Sequence, residues 1–127
     1  MIHCVVLDAG ALIAVERGTP LLRRYLLLAD QGVLTIATSS AVIAQVWRGG
    51  ARQARLARLL RSDLVEEVWL DKETSRRIGT LASSTGGIDV VDGHVALIAT
   101  ERDAVVLTSD PHGLAKWGLS RQRIVRC

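Results

Sequence analysis

Near the start of the chain, Cys4-Val5-Val6-Leu7 is apolar at every position. A strand with one wet face would alternate; a short, β-branched, unbroken run is what a strand buried on both faces looks like. Such strands are parallel ones, covered by helices above and below. Asp8-Ala9-Gly10 ends the run, and the same grammar then continues down the chain. Ala11 to about Arg17 reads as a helix. Gly18-Thr19-Pro20 begins a second, with Pro in an early position and Leu21, Leu22, Tyr25, Leu26 and Leu28 at helical spacing, until Gln31-Gly32 stops it. Val33–Ala37 is the next strand, followed by Ala41–Arg48 as a helix with Ser39 and Ser40 as N-cap candidates. After Gly49-Gly50, the Ala/Leu/Arg-rich stretch Ala51–Arg61 is strongly helical. Val65–Leu70 is a strand, Asp71 caps a helix over Lys72–Ser84, and Thr85-Gly86-Gly87 is a loop. Val90–Arg102 is a helix, Ala104–Leu107 a strand, Pro111–Trp117 a helix and Arg123–Arg126 a terminal strand.

Strands alternating with helices in this way predict an α/β fold in three layers: a central, mostly parallel sheet of about five strands with helices on both faces. The 127 residues are one domain's worth, with no linker, repeat or low-complexity segment, so a single domain is expected over 1–127. Hydrophobic residues make up 49% and charged residues 23%, which excludes a disordered chain. Aromatic residues are only 3%, with no Phe, so the core is aliphatic and a stacking platform for bases is not expected. The net charge of +3 permits a polyanionic partner without requiring one. Cys4 and Cys127 are too few for a disulfide scaffold and fit reduced thiols. Asp8 interrupts the apolar start, no basic segment precedes it, and no run is long enough to span a bilayer. A cytoplasmic protein without a membrane association is the expectation.

In open sheets of this kind, functional groups gather beyond the carboxyl ends of the strands. Asp8 follows the first strand and Asp110 follows the fourth, in Leu107-Thr108-Ser109-Asp110. Asp89 and Asp92 stand at the start of a helix, three residues apart and so on one face. Singly, each has a plain structural role: Asp8 and Asp110 as turn formers or N-caps, Asp89 as an N-cap. Together they would repel one another at one sheet edge, and a divalent cation removes that cost. Oxygen ligands alone suit Mg²⁺ or Mn²⁺ rather than zinc. The histidines do not change this. His3 is at the far end of the first strand, His94 lies about 200° round the helix from Asp92, and His112 has no Cys or His partner.

Four segments, in order and across essentially the whole chain, carry a resemblance to a known family: Val6-Leu7-Asp8-Ala9-Gly10-Ala11-Leu12-Ile13, Thr38-Ser39-Ser40-Ala41-Val42-Ile43-Ala44-Gln45-Val46-Trp47-Arg48-Gly49, Asp89-Val90-Val91-Asp92-Gly93-His94-Val95-Ala96, and Val106-Leu107-Thr108-Ser109-Asp110-Pro111. The chain resembles a PIN domain, more narrowly a VapC-type toxin ribonuclease of bacterial toxin–antitoxin pairs. The resemblance implies Asp8 and Asp92 as principal metal ligands and catalytic residues, with Asp110 completing the site and Thr108 supplying a nearby hydroxyl. It implies Mg²⁺- or Mn²⁺-dependent hydrolysis of single-stranded RNA, a VapB-like antitoxin that wraps the toxin, and a toxin homodimer. Gln45 departs from the family's Glu: the amide keeps a carbonyl and loses the charge, with Asp89 near enough to Asp92 to compensate in part.

RNA must also be held. Arg48, Arg52, Arg55, Arg58 and Arg61 offer a basic surface opposite Leu56, Leu59 and Leu60, either a phosphate contact or a solvated helix face; Arg23 and Arg24 form a weaker one. A receiver domain wants adjacent acids after its first strand, where Ala9 stands here. A haloacid-dehalogenase-type phosphatase wants a second Asp where this chain has Gly10. The remaining rival is a catalytically weak or inactive PIN-fold module that binds RNA or a protein partner, and Gln45 is the residue that keeps it in play.

Overall fold

The computed structural model describes residues 3–127. Among these residues five strands build one sheet: β1 (Cys4–Leu7), β2 (Thr35–Ser39), β3 (Val65–Val68), β4 (Val105–Thr108) and β5 (Ile124–Arg126). Their order is β3-β2-β1-β4-β5, and every adjacent pair is parallel. The helices are α1 (Ala9–Arg17), α2 (Pro20–Asp30), α3 (Ser40–Val46), α4 (Ala54–Arg61), α5 (Lys72–Thr85), α6 (Val90–Glu101) and α7 (Pro111–Ala115). The chain steps outward from β1 to β2 to β3, then returns across the sheet to β4 on the other side of β1. Right-handed crossovers place the helices of the outward and return journeys on opposite faces. Accordingly α1 packs on β1 and β4 and against α2, α3 and α4, while α6 packs on β1, β2 and β4 with α5 behind it. The strand order reverses between β1 and β4, and the crevice at their carboxyl ends is where such sheets hold ligands.

The central strand is as dry as its composition requires: Val5, Val6 and Leu7 are fully buried. They share one core with Leu12, Val42, Leu56, Val95, Ile98, Leu107 and Leu114, contributed by both helical layers. A smaller cluster of Ile78, Ala96 and Trp117 joins α5 to α6. There a Cβ on Gly87 or Gly93 would overlap the Trp117 ring, so both glycines are needed for the indole to lie flat between the helices.

Several boundaries differ from the sequence expectation, each for a local reason. Strand β2 begins at Thr35 rather than Val33, because Gly32 (φ 74°) turns the chain and the Val33 N–H bonds back to the Leu28 carbonyl at 2.9 Å, closing α2. Helix α3 ends at Val46 rather than Arg48, since Trp47 is extended and the Arg48 and Gly49 N–H groups bond to a side chain instead. Residues Ala51–Gln53 form a 3-10 turn, and α4 starts only at Ala54. Strand β3 stops at Val68, leaving Trp69 and Leu70 exposed. Helix α7 stops at Ala115, which frees Trp117 to turn inward. Among the described residues no helix is long and apolar enough to cross a membrane.

Candidate active site

Asp8 is the residue where β1 becomes α1. Its extended backbone caps the helix, and Oδ1 accepts the Ala9 N–H at 2.8 Å. Its other oxygen, Oδ2, accepts the Thr108 hydroxyl at 2.8 Å, from a residue 100 positions later at the end of β4. That same hydroxyl accepts the Asp110 N–H at 3.0 Å. Thr108, fully buried, thus orients one acid and pins the backbone of another. Asp8 is itself buried, and burial raises its pKa; the Ala9 and Thr108 hydrogen bonds oppose the rise, while the charges of Asp110 and Asp89 add to it.

Asp92 enters from the first turn of α6. Asp89 is that helix's N-cap, its Oδ1 accepting the Val91 and Asp92 N–H groups at 2.9 and 3.2 Å. Burial pushes the Asp92 carboxyl up to about 6, reinforced by the charges of Asp89, Asp8 and Asp110 and relieved by Lys116. Asp110 caps α7, its Oδ1 accepting the Gly113 N–H at 3.3 Å. Gly113 marks where the acids meet. A Cβ there would stand 2.5 Å from Asp92 Oδ2 and 2.8 Å from Asp110 Oδ2, so both oxygens crowd the space a side chain would fill. Gly10 makes a similar allowance, since a Cβ on it would overlap Ser109 and force α1 away from the end of β4.

The carboxylates of Asp8, Asp92, Asp110 and Asp89 therefore sit within one another's electrostatic reach at the β1/β4 switch point. Among the described residues, no three His, Cys, Asp or Glu side chains stand as a ready-made coordination cage. What the site offers a cation is its chemistry: hard oxygen donors, several negative charges held close against their repulsion, and a glycine that keeps the space between two of them clear. Those donors fit Mg²⁺ or Mn²⁺.

Gln45 is exposed on α3 and lines a separate cleft of about 800 Å³, whose lining includes Ala9, the neighbour of Asp8. Arg48, Arg52 and Arg55 line the same cleft, as does Arg17. Arg58 does not; it borders the next cavity, among Leu22, Leu26 and Leu59 with Arg23. Glu16, the cleft's own acid, accepts a hydrogen bond from Gln53 rather than joining the aspartates. His94 is wholly buried, with Nδ1 2.6 Å from Ser39 Oγ at the head of α3, a structural link between α6 and β2. Burial lowers its pKa, and its Nε2 has no partner among the described residues. His112 is exposed. Sequence reasoning overlooked Gly113, Lys116 and Gln53. Gly113 and Lys116 follow Asp110 within two turns, and a helix begun at Pro111 would have put both beside it.

An all-parallel α/β sheet with acids at its switch point is the class that the fold and site define. Within that class, the chain belongs to the PIN domain family, which it matches over residues 5–116. No curated protein sequence matches it. Among solved structures it is similar to VapBC2 from Rickettsia felis bound to a DNA fragment from the promoter, at 18% identity, covering 98% of each chain with a TM-score of 0.71. It is also similar to FitAcB from Neisseria gonorrhoeae, at 20% identity, covering 91% of this chain and 94% of the other with a TM-score of 0.55. At these identities the likeness is one of fold.

Proposed function

We propose that the chain is a divalent-metal-dependent endoribonuclease, the toxin of a toxin–antitoxin pair. The observation that carries this reading is the crowding of the Asp92 and Asp110 carboxylates around Gly113 at the β1/β4 crevice, with Asp8 within their electrostatic reach and Asp92 pushed up to about 6 by its surroundings. Carboxylates brought together at such a cost, in a fold whose ligands bind at this crevice, are arranged for a cation. Asp8, Asp92 and Asp110 would hold it, with Asp89 adding a fourth charge. When bound, Mg²⁺ or Mn²⁺ supplies Lewis-acid stabilisation of a phosphoryl oxygen and makes water more acidic.

The chain's own groups do the rest. Thr108 holds Asp8 in the orientation that leaves its carboxylate at the crevice. Lys116 offsets part of the negative charge that would repel a phosphodiester. Arg48, Arg52 and Arg55 line the cleft that opens beside Asp8, where they can neutralise phosphates on either side of the cut. Single-stranded RNA is the substrate this supports, since an open cleft beside the acids admits a flexible strand. A VapB-like antitoxin and a homodimer complete the reading, supported by the family and by the likeness to VapBC2 and FitAcB.

Purified protein incubated with single-stranded RNA and Mn²⁺ should release fragments, stop in excess EDTA, and lose more than tenfold in rate as Asp8→Asn or Asp92→Asn while staying folded. Undiminished cleavage by folded Asp92→Asn, or in EDTA, would overturn the reading. Gln45 favours a second one: with an amide on the α3 wall where the family carries a carboxylate, the chain would bind RNA or a protein partner and cut weakly or not at all. Binding without cleavage in the same assay would select it.

A further inference from the structure

Gln53 is a polar residue inside the protein, only 6% exposed, and its side-chain amide uses every hydrogen-bonding position it has. Oε1 accepts two backbone N–H groups, from Arg48 at 2.9 Å and Gly49 at 3.0 Å. Nε2 donates to the Val46 carbonyl at 2.9 Å and to Glu16 Oε2 at 3.3 Å. The four partners come from the last residue of α3, the loop that leaves it, and the helix that begins at Asp8. That loop has little else to hold it. Gly49 (φ 70°) and Gly50 (φ 133°) both lie where glycine is favoured, so the segment gains no stiffness from its own backbone. Without the amide, two loop N–H groups and the buried helix-terminal carbonyl of Val46 would lose their partners.

A clamp this complete could serve stability alone, but its location points to more. The loop it fixes begins with Arg48, whose guanidinium also donates to the Trp47 carbonyl at 2.7 Å. Arg52 precedes Gln53, and Arg55, two residues on, donates to the Glu16 carbonyl at 3.3 Å. All three arginines line the cleft that Ala9 also lines. Through Glu16, the clamp ties their wall to the very helix whose first residue follows Asp8.

We infer that Gln53 is a positioning residue for substrate binding: it sets the arginine wall of the cleft, and Arg48 above all, at a fixed distance from the acids, so that the polyanionic strand is held in register with the site. This rests on the ribonuclease reading and adds to it the element that aligns the strand.

The test uses Gln53→Met, which keeps the length and burial of the side chain and removes all four hydrogen bonds. A labelled single-stranded RNA is titrated in EDTA, and cleavage is followed in Mn²⁺. The inference expects Kd and KM to rise about fivefold or more, kcat at saturating RNA to stay within twofold, and Mn²⁺ affinity to be unchanged. It also expects Gln53→Met to add nothing to the loss caused by Arg48→Gln, because the clamp acts through that arginine. Should Gln53→Met fail to fold, Gln53→Asn keeps a buried amide but is one methylene too short to span the Arg48 and Gly49 N–H groups, the Val46 carbonyl and Glu16 together. It should raise Kd in the same sense, and wild-type affinity in that variant would overturn the inference. So would wild-type affinity in folded Gln53→Met, or losses for Gln53→Met and Arg48→Gln that simply multiply. If Arg48→Gln weakens binding and Gln53→Met does not, the positioning role falls and the ribonuclease reading stands. If the wild-type protein binds no RNA, both fall together.

Discussion

Asp92 shows how much one carboxyl can reveal. Its unfolded value is near 3.8 and its folded value about 6, so between those pH values the folded chain keeps a proton that the unfolded chain has lost. Folding is therefore favoured below this window and loses that advantage as pH rises through it. The metal-free protein should melt at a lower temperature at pH 7 than at pH 5, and Asp92→Asn should flatten that slope and melt higher at pH 7; calorimetry in EDTA across the range checks both. Gln45 gives a second test. Gln45→Glu would place a charge on the α3 wall near Ala9; it should tighten Mn²⁺ binding in titration calorimetry and raise cleavage at low Mg²⁺, and no change in either would show that residue 45 does not reach the cation. Asp8, Asp92 and Asp110 were legible in the sequence because each occupies a position with its own grammar, the end of a strand or the first turn of a helix. Gln53 was not, because nothing in a sequence distinguishes a glutamine on a solvated helix from one folded back on its own loop.

At the level of elements, the short helix α7 decides the shape of the crevice. Gly113 lets its first turn approach Asp92 and Asp110, and the nearest atoms a Cβ would strike are side-chain carboxylate oxygens, not backbone. Gly113→Ala should accordingly cost little stability in EDTA, since the better helix propensity of Ala, about 1 kcal/mol, offsets a weakened Asp110 cap. On the proposed function it should nonetheless weaken Mn²⁺ affinity by tenfold or more, because the displaced oxygens are the ones proposed to hold the cation. Melting temperature and metal titration on the same variant separate the two effects. The sequence located every strand and helix by its periodicity and its caps. It misplaced ends that side-chain contacts set: α3 stops early because Gln53 takes the Arg48 and Gly49 N–H groups, and α7 stops early because Trp117 packs against Gly87 and Gly93.

For the whole molecule, the candidate ligands come from three separate places, the ends of β1 and β4 and the start of α6. A cation binding all three binds only the folded chain, so it should stabilise the fold as any native-state ligand does, by about 2.7 kcal/mol at a concentration 100 times its Kd. In a domain of this size that is a rise of roughly 5–15 °C in melting temperature. Mn²⁺ should raise the transition of the wild-type protein by this order, EDTA should reverse it, and Asp8→Asn should abolish most of it. A wild-type transition that ignores Mn²⁺ would mean that the acids do not act on a common ion.

The strand order has a further consequence, for the time at which the site comes into being. Strand β1 is made before the other four strands, yet one of its two neighbours, β4, is made about 100 residues later, and Asp8 waits for Thr108 across the same interval. Pairings so remote in sequence are slow to form and come late. A nascent chain carrying only β1 to β3 has its first acid and its arginines but neither the hydroxyl that orients the one nor the carboxylates that join it. The acidic crevice is thus assembled late, because it closes only after nearly the whole domain has been translated.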